Sequence, residues 1–129
     1  LQPVGFDPRA ALAVHETVAA LIQRGVARAV HDVSDGGWLT ALAEMAIASG
    51  LGADVARGDA PSGPFDSCTA SYLVEVADER DAASAAGTRG AGCIRVATVS
   101  ARPSLRAAGA AIDVAALSAA WSRPPHAAR

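Results

Sequence analysis

Apolar positions recur every three or four residues over 7–24, with Val14, Val18, Leu21 and Ile22 on one face and His15, Glu16, Gln23 and Arg24 on the other. This predicts an amphipathic helix, capped by Asp7 with Pro8 as its first residue and ended by Gly25. His15, on the polar side, reads as a solvated residue rather than a ligand. The apolar run Ala27, Ala29, Val30 and Val33 predicts a strand over 27–33. A second helix, over 37–49, carries Trp38, Leu39, Leu42, Met45, Ala46 and Ile47 around most of its circumference, which predicts packing on more than one side. Glu44 is the exception there, a carboxylate that sits at an edge with its head in water or is buried with a partner.

Further on, 53–57 reads as a short strand and 58–69 as the longest loop. The clearest strand is 70–77, where Tyr72, Val74 and Val76 alternate with Ser71, Leu73 and Glu75. A weak helix over 78–89 is ended by Gly87, and a strand follows over 93–99. A short strand pair spans 105–112, and Asp113 caps a last helix with Val114, Leu117 and Trp121. Residues 1–7 read as an irregular lead-in and 122–129 as a frayed tail. The order αβαββαβ, then a late β-turn and a terminal helix, predicts an α+β fold: a mixed or antiparallel sheet covered by helices, partly ferredoxin-like. Residues 1–121 are expected to form a single domain, and the start at Leu1 suggests a piece of a longer chain.

Composition narrows the function classes. A chain of 129 residues holds one modest core. A net charge of −2, with all 11 basic residues arginine and none clustered, argues against a nucleic-acid partner. No apolar run approaches the ~20 residues of a membrane span, so no membrane partner and a cytoplasmic location are expected. Cys68 and Cys93 form no CxxC pair and read as buried thiols rather than a bridge or a zinc site. Without lysine there is no phosphate-binding Gly-Lys pair and no Schiff base, and no HExxH or Gly-x-Ser-x-Gly occurs.

The chemistry concentrates in His31-Asp32-Val33-Ser34-Asp35-Gly36-Gly37, a strand, a tight turn and a helix N-terminus. First-turn amides lack intrahelical acceptors and carry the positive end of the helix dipole, so an anion can sit there. Glycine lets a phosphate approach the backbone. The candidate phosphate- or nucleotide-binding residues are therefore His31, Asp32, Ser34, Asp35, Gly36 and Gly37. Two other readings compete: His31, Asp32 and Asp35 as a Mg²⁺ or Mn²⁺ cluster, or Asp32 and Asp35 fixing the turn through backbone amides. The second is favoured, because alternation along a strand sends His31 and Asp32 to opposite faces.

The same run, continued by Ala41-Leu42-Ala43-Glu44-Met45-Ala46 and Gly50-Leu51-Gly52-Ala53, resembles the phosphoribosylformylglycinamidine synthase family, specifically the C-terminal domain of its second synthetase repeat. The resemblance implies the α+β fold of aminoimidazole ribonucleotide synthetase C-terminal domains. It also implies a role in the ATP-dependent conversion of formylglycinamide ribonucleotide and glutamine to the amidine in purine biosynthesis. ATP and Mg²⁺ would be bound by other domains, with no cofactor certain in this piece and no catalytic residue of its own. The implied partners are upstream domains of the same chain, a glutaminase domain or subunit, and the phosphorylated ribonucleotide. Family members carry Glu and Arg where this chain has Ser67 and Ser71, which weakens any ligand contact from that loop. The alternatives are a non-enzymatic dimerisation or subunit-interaction module, or a relative such as selenophosphate synthetase or thiamine monophosphate kinase.

Overall fold

The computed structural model describes residues 6–56 and 63–123. They form two compact units, 6–42 with 63–95 and 43–56 with 96–123. The expected features at 1–5, 57–62 and 124–129, including Arg57 and most of the tail, lie outside the described residues.

In the first unit, helix α1 (Pro8–Gln23) starts as its sequence predicts. The Asp7 carboxylate accepts from Arg9 N at 2.9 Å and Ala10 N at 3.3 Å. The buried stripe is Ala11, Thr17, Ala20 and Leu21; Ile22, expected on this face, is exposed because it lies a 100° step beyond Leu21. Strand β1 (Ala27–Asp32) pairs antiparallel with β3 (Tyr72–Val76), placing Val30 opposite Val74 and Asp32 opposite Tyr72. Helix α3 (Glu79–Arg89) completes the unit. Its Asp78 cap accepts from Arg80 N, and the Arg80 guanidinium beside it holds that carboxyl below its usual range. Leu21, Ala82 and Ala85 form the core with Val26, Ala27, Val74 and Val76.

Gly87 does not end α3. The helix runs on to Arg89 and closes at Gly90, φ +72°, where Ala91 N donates to Ala86 O at 2.9 Å. No heavy atom lies within 4 Å of a Cβ added at Gly87. A helical glycine with open space beside it costs about 0.5–1 kcal/mol relative to alanine. Gly87→Ala is therefore expected to raise stability by that amount, measured as a rightward shift of the urea midpoint with unchanged slope.

Helix α2 (Gly37–Ser49) crosses from the first unit to the second. Gly37, Ala41 and Ala46 are buried, whereas Trp38, Leu39, Leu42, Glu44, Met45 and Ile47 are half-buried, so the expected all-round packing is only partial.

The second unit holds β2 (Gly52–Val55), β4 (Ala97–Ser100), β5 (Ser104–Ala107), β6 (Ala110–Asp113) and α4 (Val114–Trp121). The strands lie in the order β4-β2-β5-β6, with β2 antiparallel to β4 and parallel to β5. The expected mixed and antiparallel pairing is present, divided between this sheet and the β1–β3 ribbon. Ala53 and Leu105 fill the middle of the cross-strand row Val99–Ala53–Leu105–Ile112 and are buried; its edge residues are half-exposed. On the opposite face Arg106 pairs with Asp54, Nη2 to Oδ2 at 2.7 Å. The β5–β6 turn places Ala108 and Gly109 both at positive φ, the geometry that suits a right-twisted hairpin.

Two local expectations fail. The strand expected over 93–99 starts only at Ala97, and 91–96 is irregular, which leaves Cys93 exposed. Cys68 is half-buried, and its Sγ donates to Asp66 O at 3.6 Å. Asp113 is the N-cap of α4 as expected, without a side-chain cap bond, and Val114 N donates to Pro103 O at 2.9 Å.

Candidate functional site

All six sequence-derived site residues fall in the first unit, at the end of β1 and the start of α2. In the register of β1 with β3, His31 stands opposite Leu73 and Asp32 opposite Tyr72, yet the two side chains do not diverge as expected. His31 Nδ1 lies 2.7 Å from Asp32 O, a bond that its Nδ1–H tautomer donates, and 3.7 Å from Asp32 Oδ1. Val33 is buried and its N–H donates to Ser71 O at 2.8 Å, extending the ribbon by one step.

The chain then turns. Gly37 N donates to Ser34 O at 3.1 Å, and Gly36 and Gly37 adopt φ +90° and +73°. Thr40 Oγ1 donates to Gly36 O at 2.7 Å, tying the turn to the helix it opens. Ser34 and Asp35 are exposed. Asp32 and Asp35 do not fix the turn through backbone amides, as expected of them; Asp35 Oδ1 accepts from Ser67 Oγ at 3.4 Å. The turn is closed by main-chain groups and Thr40, so the carboxylates remain at the surface.

A feature that residue patterning missed lies over this turn. Pro64 O accepts from Leu39 N at 3.0 Å, within the first turn of α2. A Cβ on Gly37 would lie 2.5 Å from Pro64 O and 2.6 Å from the Phe65 backbone, so only glycine fits beneath the segment. Asp66 N donates to Gly63 O at 3.1 Å, and Gly63 N returns a bond to Asp66 Oδ2 at 2.7 Å. Ser67 and Ser71 thus both flank the turn, one through Asp35 and the other through Val33. His15 is exposed yet tied in: Tyr72 Oη lies 2.9 Å from its Nδ1, with the rings edge-on at 5.5 Å. His15 is solvent-exposed as expected, and the contact adds a partner that links α1 to the strand residue opposite Asp32.

Phosphate and metal fit this arrangement differently. A helix start can present main-chain donors to an anion, and in this one Gly37 N and Leu39 N already donate to Ser34 O and Pro64 O. Among the described residues, however, no three His, Cys, Asp or Glu side chains converge as a cation would require. Among the described residues, His31, Asp32 and Asp35 therefore form no metal cluster. Nor does any helix among the described residues have the length and apolarity to cross a membrane.

Helices, paired strands and a glycine turn in this order define a known domain class. The chain belongs to the AIR synthase related protein, C-terminal domain family, whose profile matches residues 7–110. Within it the likeness is to PurL. The chain is 38% identical over 121 residues to the phosphoribosylformylglycinamidine synthase subunit PurL of Bradyrhizobium sp. strain BTAi1, an alignment covering 89% of the chain and 16% of that protein. PurL of T. maritima has the same fold: its complex with FGAR superposes with a TM-score of 0.69 at 21% identity, over 88% of this chain and 21% of that one. Its complex with ATP gives 0.71 at 21% identity, over 91% and 23%.

Proposed function

We propose that this chain acts as the C-terminal domain, residues 1–121, of a PurL-type ligase in the cytoplasm. The full reaction converts formylglycinamide ribonucleotide, glutamine and ATP to the amidine in purine biosynthesis. ATP phosphorylates the formyl amide oxygen, and ammonia from glutamine then displaces phosphate to form the C–N bond. Upstream domains and a glutaminase supply ATP, Mg²⁺ and ammonia handling. The identity to PurL over 89% of the chain carries this reading, and the FGAR and ATP complexes of the T. maritima protein agree with it.

This chain contributes no catalytic residue but one binding surface, the turn formed by His31, Asp32, Ser34, Asp35, Gly36 and Gly37. What supports it is the pair of positive-φ glycines opening α2, a backbone geometry that brings main-chain N–H groups close to a phosphate oxygen. No basic residue lies between His31 and Gly37, so affinity in isolation is weak and orientation is the turn's contribution. Titration of the ¹⁵N-labelled chain with inorganic phosphate, ADP and ribose 5-phosphate is expected to shift the amides of residues 34–40 first. Shifts that avoid those amides at saturating ligand would assign the phosphate elsewhere.

A further inference from the structure

Helix α4 has no charged residue in its eight positions. A helix that is apolar all round belongs in an interior. Here only Val114 is buried: Ala115, Ala116, Ala119 and Ala120 are exposed, and Trp121 is 63% exposed. Strand β6 leads directly into it, is the outermost strand in β4-β2-β5-β6 and exposes all four of its residues, Ile112 by 52%. The helices of the first unit are different, since α1 carries Arg9 and Glu16 and α3 carries Glu79, Arg80, Asp81 and Arg89. Building on the PurL reading, we propose that β6 and α4 form a docking face, anchored by Trp121, by which this domain seats on the remainder of a PurL-type chain.

The chemistry of the face selects this occupant over two others. A membrane surface needs basic residues beside the apolar ones, and from Ala107 to Ser122 the single charged residue is Asp113. A second copy would have to hold on a four-residue edge, Ile112 and one large aromatic. A tryptophan buries at most about 250 Å², which leaves the face far short of the roughly 800 Å² per partner of a stable interface between separate chains. A small face suffices when the partner is covalently linked, because the linkage supplies an effective concentration in the millimolar range. The chain covers 16% of the Bradyrhizobium PurL, so most of such a protein lies outside it and is available to meet the face. Depletion of charge with an exposed tryptophan is also the composition of an interface centre.

The test replaces the aligned segment of the Bradyrhizobium PurL with this chain. Hydroxyl-radical footprints of that chimaera and of this chain alone are then compared by mass spectrometry. Docking is expected to slow oxidation of Trp121 and Ile112 at least fivefold in the chimaera. Equal rates in the two proteins would overturn the proposal while leaving the PurL reading in place, because the chimaera is then folded and soluble with the face uncovered. A chimaera that aggregates while the parent PurL prepared alongside stays soluble overturns both. Protection that appears in the chain alone as its concentration rises, with a dimer in sedimentation, assigns the face to a second copy and overturns the proposal. Trp121→Ser gives an independent reading. It is expected to speed Ile112 oxidation at least threefold in the chimaera and to leave it within 1.5-fold in the chain alone, and unchanged Ile112 protection in the variant chimaera would overturn Trp121 as the anchor.

Discussion

Gly52→Ala is expected to lower the thermal midpoint by about 10 °C or more, the largest effect of a Cβ added at any of the described glycines. Gly52 opens β2 and is buried at a backbone crossing. A Cβ there would run into the carbonyl oxygens of Arg102 and Ser104 and come to 2.6 Å from Ser104 N. These are main-chain atoms, so no rotamer change relieves them, and the Arg102–Ser104 corner is itself closed by a Ser104 N to Arg102 O bond of 2.7 Å. Relief requires β2 to move away from β5. Because β2 lies between β4 and β5, that movement disturbs both pairings and the buried contact of Ala53 with the Leu105 row. Overpacking of this kind costs about 1–3 kcal/mol, and a backbone clash belongs at or above the upper end. For a chain of this size that is roughly 10 °C. Circular dichroism melts of the parent and variant measure it, and a midpoint within 2 °C of the parent would contradict the described β2–β5 pairing. Gly87→Ala, with open space at the Cβ, provides the opposite sign on the same instrument.

The contrast between these glycines shows what one sequence can disclose. Local signals were legible where a residue's own chemistry decides the conformation: Asp7 and Pro8 start α1, the alternation of Tyr72, Val74 and Val76 makes β3, and 37–49 forms α2 with the expected bounds. The turn that carries the candidate residues was legible for the same reason, since all six lie within the seven positions 31–37 and Gly36-Gly37 specifies a turn that few other pairs tolerate. Features that depend on distant partners were not. Gly87 and Gly90 are three residues apart, and only the packing of Ala82, Ala85 and Ala86 decides that the helix passes the first and stops at the second. Gly50-Leu51-Gly52 reads as a helix end, but the reason for Gly52 lies 50 residues away in the backbone of Arg102. His15 is solvated as its pattern says, but the Tyr72 that β3 brings beside it lies 57 residues away. The strap at 63–67 has no periodicity to announce it, and its target, Leu39, is more than 20 residues upstream.

Gly37→Ala is the second large effect, and its cost divides into two separable parts. The residue holds φ +73°, where alanine pays roughly 1 kcal/mol that glycine does not. Its Cβ would also lie 2.5 Å from Pro64 O and 2.6 Å from Phe65 backbone atoms. That second part belongs to the pair of turn and strap, so it is present only when the strap is seated. In the parent chain the substitution is expected to cost about 2–3 kcal/mol in urea unfolding, and to accelerate exchange of the Leu39 amide as Pro64 O is pushed away. In a chain whose residues 63–67 are replaced by Gly and Ser, the same substitution is expected to cost only the conformational part, about 1 kcal/mol. The difference between the two backgrounds is a coupling energy, and it measures how firmly the strap sits on α2. Equal costs in both backgrounds would mean that the strap does not rest on Gly37. Gly36→Ala is the control, because its Cβ would meet the Thr40 side chain, with Oγ1 at 2.8 Å, rather than the strap, so its cost is expected to be the same in both backgrounds. Together the two glycines separate what the turn requires of its own backbone from what the covering segment requires of it.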